Sequence, residues 1–294
     1  MEKTRLPRDM QKLLDNIRQR EMEDEPPQRA EFGARSALEE KIDHLSPTKI
    51  DMFARCPMQI EWRYVKGVVS PPQIRLIEGA KYHETAAVRN TLLMNGKSPA
   101  TKVEMIEFFQ DTLRDDISRM GAKTIVWDEE NKDADTIMDR AKKLVPILHE
   151  DLKPIGVPTS VEDRVEGTIA GIPIVAITDL EDGGGLADYK VVTNKKSQIV
   201  ADSSIQLSTY SYLKKEKRVR LDQLVKRGGH ERTRSVRTAG DFKWLEQVVT
   251  RTWQAITAGA FAPCDPTSWV CSPKWCGWYL QCRGSYYSTG RRDK

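Results

Sequence analysis

The clearest alternation of apolar and polar positions in the chain is the segment SVEDRVEGTIAGIPIVAITDLEDGGGLADYKVV, residues 160–192, punctuated by Gly171 and the run Gly183-Gly184-Gly185. A period of two broken by glycines predicts strands near 160–169, 172–181 and 186–192, the first two joined as a hairpin. Elsewhere the apolar period is helical. Ser46-Pro47-Thr48-Lys49-Ile50 reads as a capped helix start carrying Ile50, Phe53 and Ala54, and Cys56-Pro57 stops that helix. Residues 59–66 are compatible with helix or extended chain. The stretch Gly79–Leu93 predicts a helix with Ala80, Ala87, Val88 and Leu92 on one face and His83 near its start. Thr101–His149 predicts a helical cover (about 101–150) interrupted near Gly121, with Met105, Phe108, Phe109, Leu113 and Ile117 on one side. After the third strand come a helix from about Asp202 to Lys217, a strand near 218–226, and a basic segment from Lys226 to Arg237. An amphipathic helix from Asp241 to Gly259 follows, with Trp244, Val248 and Ile256 inward, and then a cysteine-rich clasp at about 260–283. Residues 1–44 are densely charged, contain Pro26-Pro27 and show only a weak stripe of Met10, Leu13, Leu14 and Ile17. They read as a charged N-terminal arm before one α/β domain at 45–294, with no internal repeat.

Composition narrows the function classes. The 294 residues suffice for a large core, and 31% charged against 39% hydrophobic residues with a mean hydropathy of −0.57 describe a polar globular chain. No run approaches the roughly 18 apolar residues of a spanning helix, and MEKTRLPRDM lacks the apolar core of a secretory signal, so a cytoplasmic protein without a membrane role is expected. Lysine and arginine exceed the acids by 47 to 43, a net +4, which permits a polyanionic partner without requiring one. Five cysteines in a reducing compartment point to a metal or cluster rather than to disulfides.

The segment that carries chemistry is Asp179 with Asp188-Tyr189-Lys190, two carboxylates and an ammonium on neighbouring strands across a glycine turn. Asp188 and Lys190 are two apart and share a face, and Asp179 at the end of the preceding strand can converge on them. Carboxylates so placed hold a hard cation through oxygen, and a lysine beside them can orient water or neutralise charge developing on a phosphate. Gln206 and Tyr210, four apart, lie on one helical face as neutral hydrogen bonders, and His83 can complete a metal shell if its helix crosses the sheet. Asp-X-Lys alone is a chance occurrence, and a lone histidine is ordinarily a surface residue. The order of helix with histidine, strand with aspartate, glycine turn, Asp-X-Lys strand and Gln-x3-Tyr helix is what gives the set meaning.

In that order the chain, over about Leu45 to Cys282, resembles the RecB-like branch of the PD-(D/E)XK nucleases, which includes the CRISPR-associated iron–sulfur exonucleases and their phage relatives. The resemblance implies a restriction-endonuclease-like core, a small central mixed sheet flanked by helices, with a C-terminal iron–sulfur element. It implies that His83, Asp179 and Asp188 bind Mg²⁺ or Mn²⁺, that Lys190 is the catalytic lysine, and that Gln206 and Tyr210 help position lysine and DNA backbone. The third acid is aspartate where this branch often has glutamate, which the superfamily pattern allows. Glu162 and Glu166 are further acids on the preceding strand, and Glu162 is open between supporting the metal ligands and a solvated edge. The resemblance also implies a 4Fe–4S cluster held by Cys56, Cys271, Cys276 and Cys282, with Cys264 as an extra thiol; four thiolates also suit tetrahedral Zn²⁺. The expected activity is exonucleolytic hydrolysis of DNA in end processing, recombination or repair, or CRISPR-adaptation-like processes. Partners would be DNA and a helicase, a recombinase or a CRISPR integrase-type protein, in a host cytoplasm if the gene is a phage's. A non-catalytic DNA-binding or assembly module with the same fold is the alternative, and a zinc-stapled structural protein the third. Trp269, Trp275, Trp278, Tyr279, Tyr286 and Tyr287 read as packing around the cluster rather than as base-stacking residues. The segment 226–237 and Arg291-Arg292 stay open between phosphate tracking and a solubilising surface.

Overall fold

A computed structural model describes Leu38 and residues 41–286, with side chains through Arg283; the Met10–Ile17 stripe, Tyr287 and Arg291-Arg292 lie outside the described residues. The glycine-punctuated segment forms three strands, β1 (Ser160–Ile169), β2 (Ile172–Asp182) and β3 (Gly185–Val192), each antiparallel to the one before. β4 (Arg218–Val225) lies parallel to β3 and β5 (His230–Val236) antiparallel to β4, completing a mixed five-stranded sheet in chain order. The turn into β3 depends on Gly185. Its φ is +93°, and a Cβ there would fall 2.2 Å from the Arg218 carbonyl oxygen, so a side chain would push β3 off β4. Beside this turn the fully buried Arg220 donates to both carboxylate oxygens of Asp182, at 2.7 and 2.6 Å, and to Asp222 at 3.1 Å. Arg232 of β5 donates to Asp222 as well, at 2.8 and 3.0 Å, so these buried charges are paired.

Helices cover both faces. α1 (Pro47–Arg55) starts at Ser46, whose Oγ accepts the Lys49 N–H at 3.2 Å, and ends at Cys56. Pro57 then opens the short α2 (Pro57–Ile60), which runs into a π-helical turn (Glu61–Val65), so residues 59–65 are helical. α3 (Ile74–Met94), α4 (Lys102–Met120) and α5 (Ala134–Glu150) pack their apolar stripes with Val161, Leu180, Tyr189 and Leu224 of the sheet. The helical cover breaks at Gly121, which closes α4 with φ +82°. On the other face α1, α7 (Ile205–Lys214) and α8 (Ala239–Thr257) surround Ile169, Ile172 and Ile174. Ile42 and Leu45 join this core, and Leu45 hydrogen-bonds along β2, its N–H to Pro173 O and its C=O to Val175 N–H, both at 2.9 Å.

Three expectations need correction. The helix expected over 202–217 is two, α6 (Gln198–Asp202) and α7, because Ser204 caps α7 by accepting the Leu207 N–H at 3.2 Å, and Lys215 with φ +58° ends it. The basic segment contains strand β5, whose arginine at 232 is used internally. In α8 Leu245, Val249 and Ile256 are buried and Val248 packs against the same core, so Ile256 and Val248 face inward as expected, whereas Trp244 is 43% exposed and Leu245 takes its place.

Candidate active site

β3 delivers Asp188 and Lys190 to the α7 side of the sheet, and α7 answers with Gln206 and Tyr210. The Lys190 ammonium donates to Asp188 Oδ1 and to Gln206 Oε1, each at 2.9 Å, and Gln206 Nε2 donates to the Tyr210 hydroxyl oxygen at 2.5 Å. Tyr210 is buried, and burial together with Asp179 and Asp188 holds its hydroxyl protonated. The Gln-x3-Tyr pair is therefore a brace that fixes the lysine head. Asp179 comes from β2; the Tyr189 N–H donates to its Oδ2 at 2.7 Å, and His83 Nδ1 of α3 lies 3.3 Å from the same oxygen.

Glu162 of β1 completes the group. Its φ is +44°, in a strand, opposite Asp179 and at the one position where the β1–β2 ladder is interrupted. The facing of the strands reverses there. Val161 and Leu180 pack toward α3–α5, while Ile169, Ile174 and Ala176, of the same parity, pack toward α1, α7 and α8. The reversal turns Glu162 and Asp179 to the side where β3 presents Asp188 and Lys190, and the ligand atoms of Glu162, Asp179 and His83 lie within 4.8 Å of one another. Glu166, by contrast, pairs with Arg164 at 2.8 Å on a partly exposed strand. Asp51 of α1 is a further acid near Lys190, its carboxyl raised by burial.

The electrostatics suit a cation. Burial pushes Asp179 up to about 6, and it does the same to Asp188 against the opposing pull of Lys190. Burial and the neighbouring Lys190 hold His83 down to about 4, so its imidazole is neutral with a lone pair to give. Burial works against the Lys190 ammonium, but Asp188 and Asp179 outweigh it and raise its pKa. Asp188 Oδ2 is buried without a hydrogen-bond partner. A buried orphan carboxylate oxygen beside an imidazole and two further carboxylates is an oxygen-rich donor set, and it fits Mg²⁺ or Mn²⁺. The group opens into a cleft of about 400 Å³ walled by Arg75, Gly79, His83, Glu162 and Lys190. A larger groove between Phe53 and Trp244 is lined by no carboxylate or histidine and is not the site of this chemistry.

All five cysteines are free thiols, and Cys56, Cys264 and Cys282 share one apolar cluster. The Cys264 N–H donates to Cys56 Sγ at 3.4 Å, and burial, then hydrogen bonding with Cys56, pushes the Cys264 thiol up to about 12, with Cys271 contributing. Burial also raises Cys276 and Cys282, both of which feel Cys56 and Cys271. The sulfurs are surrounded by Met58, Trp62 and Val270. Soft thiols converging in an apolar pocket fit a thiolate-bound metal or cluster, and Cys264 stands among them rather than apart.

Asp51, Arg75 and the full involvement of Glu162 were not legible beforehand; the acid opposite Asp179 on a hairpin partner was the available signal for Glu162.

A family model described as the PD-(D/E)XK nuclease superfamily matches residues 44–283. Among solved structures, the chain is similar to a protein named "Putative exonuclease" from Eubacterium rectale, with 12% identity, 83% of this chain and 92% of that one covered, and a TM-score of 0.48. It is also similar to SSO0001, with 10% identity, 92% and 94% covered, and a TM-score of 0.39. No curated protein matches the sequence. Among the described residues no helix is long and apolar enough to cross a membrane.

Proposed function

The chain belongs to the PD-(D/E)XK nuclease superfamily, and on that premise we propose that it is a divalent-metal-dependent exonuclease that hydrolyses DNA from its ends. The observation that carries this reading is the junction of Lys190 with a buried, partly unsatisfied Asp188 at a cleft lined by His83 and Glu162, with Asp179 buried beside them. A degenerate binding module has no use for this set and would be expected to have lost part of it. Direction toward ends, and roles in end processing, recombination or repair, or CRISPR adaptation, rest on the RecB-like order of the motifs.

His83, Asp179 and Asp188 would hold Mg²⁺ or Mn²⁺, with Glu162 as a further donor. When bound, the ion supplies Lewis-acid polarisation of the scissile phosphate and a more acidic water. The protein's own groups do the rest. The Tyr189 N–H fixes one Asp179 oxygen, leaving its orientation set before substrate arrives. The Lys190 ammonium, kept protonated by two acids and aimed by Gln206, faces the cleft, where it offsets charge as the phosphate becomes pentacovalent. Cys56, Cys271, Cys276 and Cys282 are assigned to a 4Fe–4S cluster with a structural role, with Zn²⁺ as the alternative occupant; iron and acid-labile sulfide analysis of anaerobically purified protein separates them.

The test is digestion of end-labelled linear DNA and of covalently closed circular DNA with Mn²⁺ or Mg²⁺ and with EDTA. Metal-dependent loss of linear substrate alone is expected. Equal digestion of the circle overturns the end requirement, and no digestion with either metal overturns the enzyme.

A further inference from the structure

The cleft wall formed by α3 leads to an aromatic element that the cleavage chemistry does not use. Arg75, Gly79 and His83 follow one another at intervals of four on α3 and all line the cleft. Eight residues at 1.5 Å each place Arg75 about 12 Å from His83 along the helix axis. At that end the Arg75 guanidinium lies over Trp275, 4.0 Å from the ring centroid, and donates to the Lys274 carbonyl at 2.9 Å and to Gln73 Oε1. Trp269 meets Trp275 edge to face, with centroids 5.4 Å apart and planes at 89°. Trp269 is 61% exposed, Trp275 is 39% exposed, and Leu76 on the cleft rim is 66% exposed.

These tryptophans are not the packing residues of the cysteine segment. That role belongs to Trp278, which is buried and donates its indole N–H to Val68 O at 2.7 Å. Trp269 thus departs from the expectation that the C-terminal aromatics pack around the thiols, and the aromatic packed with Cys56 and Cys282 is Trp62. The Trp275 ring is occupied by cations, Arg75 and, at 5.5 Å, the Lys274 ammonium, so it acts as a mount, and Trp269 is the ring left open. Between this platform and the acids the wall is low. A Cβ added at Gly79 would meet nothing within 4 Å, so a polynucleotide backbone has room to pass.

We propose that Trp269, held by Trp275 and Arg75, is a base-stacking subsite for unpaired nucleotides of the strand entering the cleft, which makes a single-stranded DNA end or overhang the preferred substrate. This deepens the nuclease reading above and rests on it. An exposed indole face accepts any base, but the bases of a duplex are already stacked on one another, and Arg75 and Lys274 offset the adjoining phosphates. At about 3.4 Å per stacked nucleotide, the 12 Å to Arg75 already corresponds to three or four steps, and Trp269 is reached from Arg75 only through Trp275, so contact needs a strand longer than about three nucleotides. Trp275 sits between Cys271 and Cys276, so the thiol site also holds the platform in register with the cleft.

The experiment uses the full chain in EDTA, with 3′-labelled thymidine oligonucleotides of about three and about twelve nucleotides and a blunt duplex of about twenty base pairs, read by anisotropy and by quenching of tryptophan fluorescence. Trp269→Leu should weaken binding of the longer oligonucleotide about tenfold or more, abolish most of the quenching and leave the trimer unchanged, while Trp269→Phe keeps binding near wild type. Equal binding of the longer oligonucleotide by Trp269→Leu and wild type overturns the subsite, as does an equal loss for the blunt duplex. If wild-type protein cleaves no DNA with Mn²⁺ yet shows the Trp269-dependent, length-dependent binding, the subsite stands and the enzymatic reading fails.

Discussion

Replacing Lys190 by methionine keeps the stem and removes the charge, and the structure sets what should follow. The ammonium is 2.9 Å from Asp188 Oδ1 and 2.9 Å from Gln206 Oε1. Unit charges about 4 Å apart near a protein surface interact by about 4 kcal/mol. The lysine side chain is 40% exposed while Asp188 is 1% exposed, so screening reduces the interaction to about 2 kcal/mol. That is equivalent to about 1.5 pH units, upward from the value near 6 at which burial already holds Asp188. The variant should therefore carry Asp188 largely protonated near neutrality when no cation is bound, and it should lack the charge facing the phosphate, a loss that typically costs about 10²- to 10³-fold. Single-turnover cleavage of an end-labelled oligonucleotide with Mn²⁺, from pH 6 to 9, should show a loss of that size at pH 7.5 and a residual activity whose rise with pH is displaced to the alkaline side. Thermal unfolding should move little. Cleavage within tenfold of wild type, or a pH profile that does not move, refutes the reasoning.

In wild type, Asp179 and Asp188 must lose protons to receive the cation, and both are held up to about 6, so cleavage should fall as the pH drops through about 6, with a slope of about one to two on a logarithmic plot; a rate constant down to pH 5 contradicts this. Cys276→Ser should lower both iron content and thermal stability, and undiminished values of both would remove the thiol site from the fold's support. Arg220→Met leaves Asp182 and Asp222 buried short of a cation and should cost about 3–5 kcal/mol in urea unfolding, and a loss below about 1 kcal/mol would mean that the buried network contributes little.

The strand limits could be read within one residue because apolar and polar positions largely alternate, with Gly171 at the β1–β2 turn and the triple glycine at the β2–β3 turn. The Asp188–Lys190–Gln206–Tyr210 chain was legible for the same reason: spacing of two on a strand and four on a helix fixes which side chains share a face. What alternation could not reveal was its own interruption. Glu162 enters the acidic group through a left-handed backbone angle, and glutamate carries no bias toward that angle that a sequence would display. β5 was obscured for a different reason. Its sequence HERTRSV satisfies one face with Arg232 bonded to Asp222 instead of with apolar side chains, so it reads as a charged loop. The helical pattern through Trp244, Val248 and Ile256 does not distinguish Trp244 from its neighbour Leu245, and it is Leu245 that docks. Arg75 lacked any sequence signal, since its importance comes from meeting a loop almost two hundred residues away.

Separation along the chain has a consequence for biosynthesis as well. The Cys56 sulfur accepts a hydrogen bond from a backbone 208 residues downstream. At about 5–20 residues per second of synthesis, that partner emerges roughly 10–40 s after Cys56 does. For that interval the first thiol of the clasp is on the nascent chain without the others, open to peroxide or to a stray thiophilic ion, and nothing built around it can be finished. A metal or cluster of the kind proposed for these thiols could therefore be completed only after the whole domain has been translated.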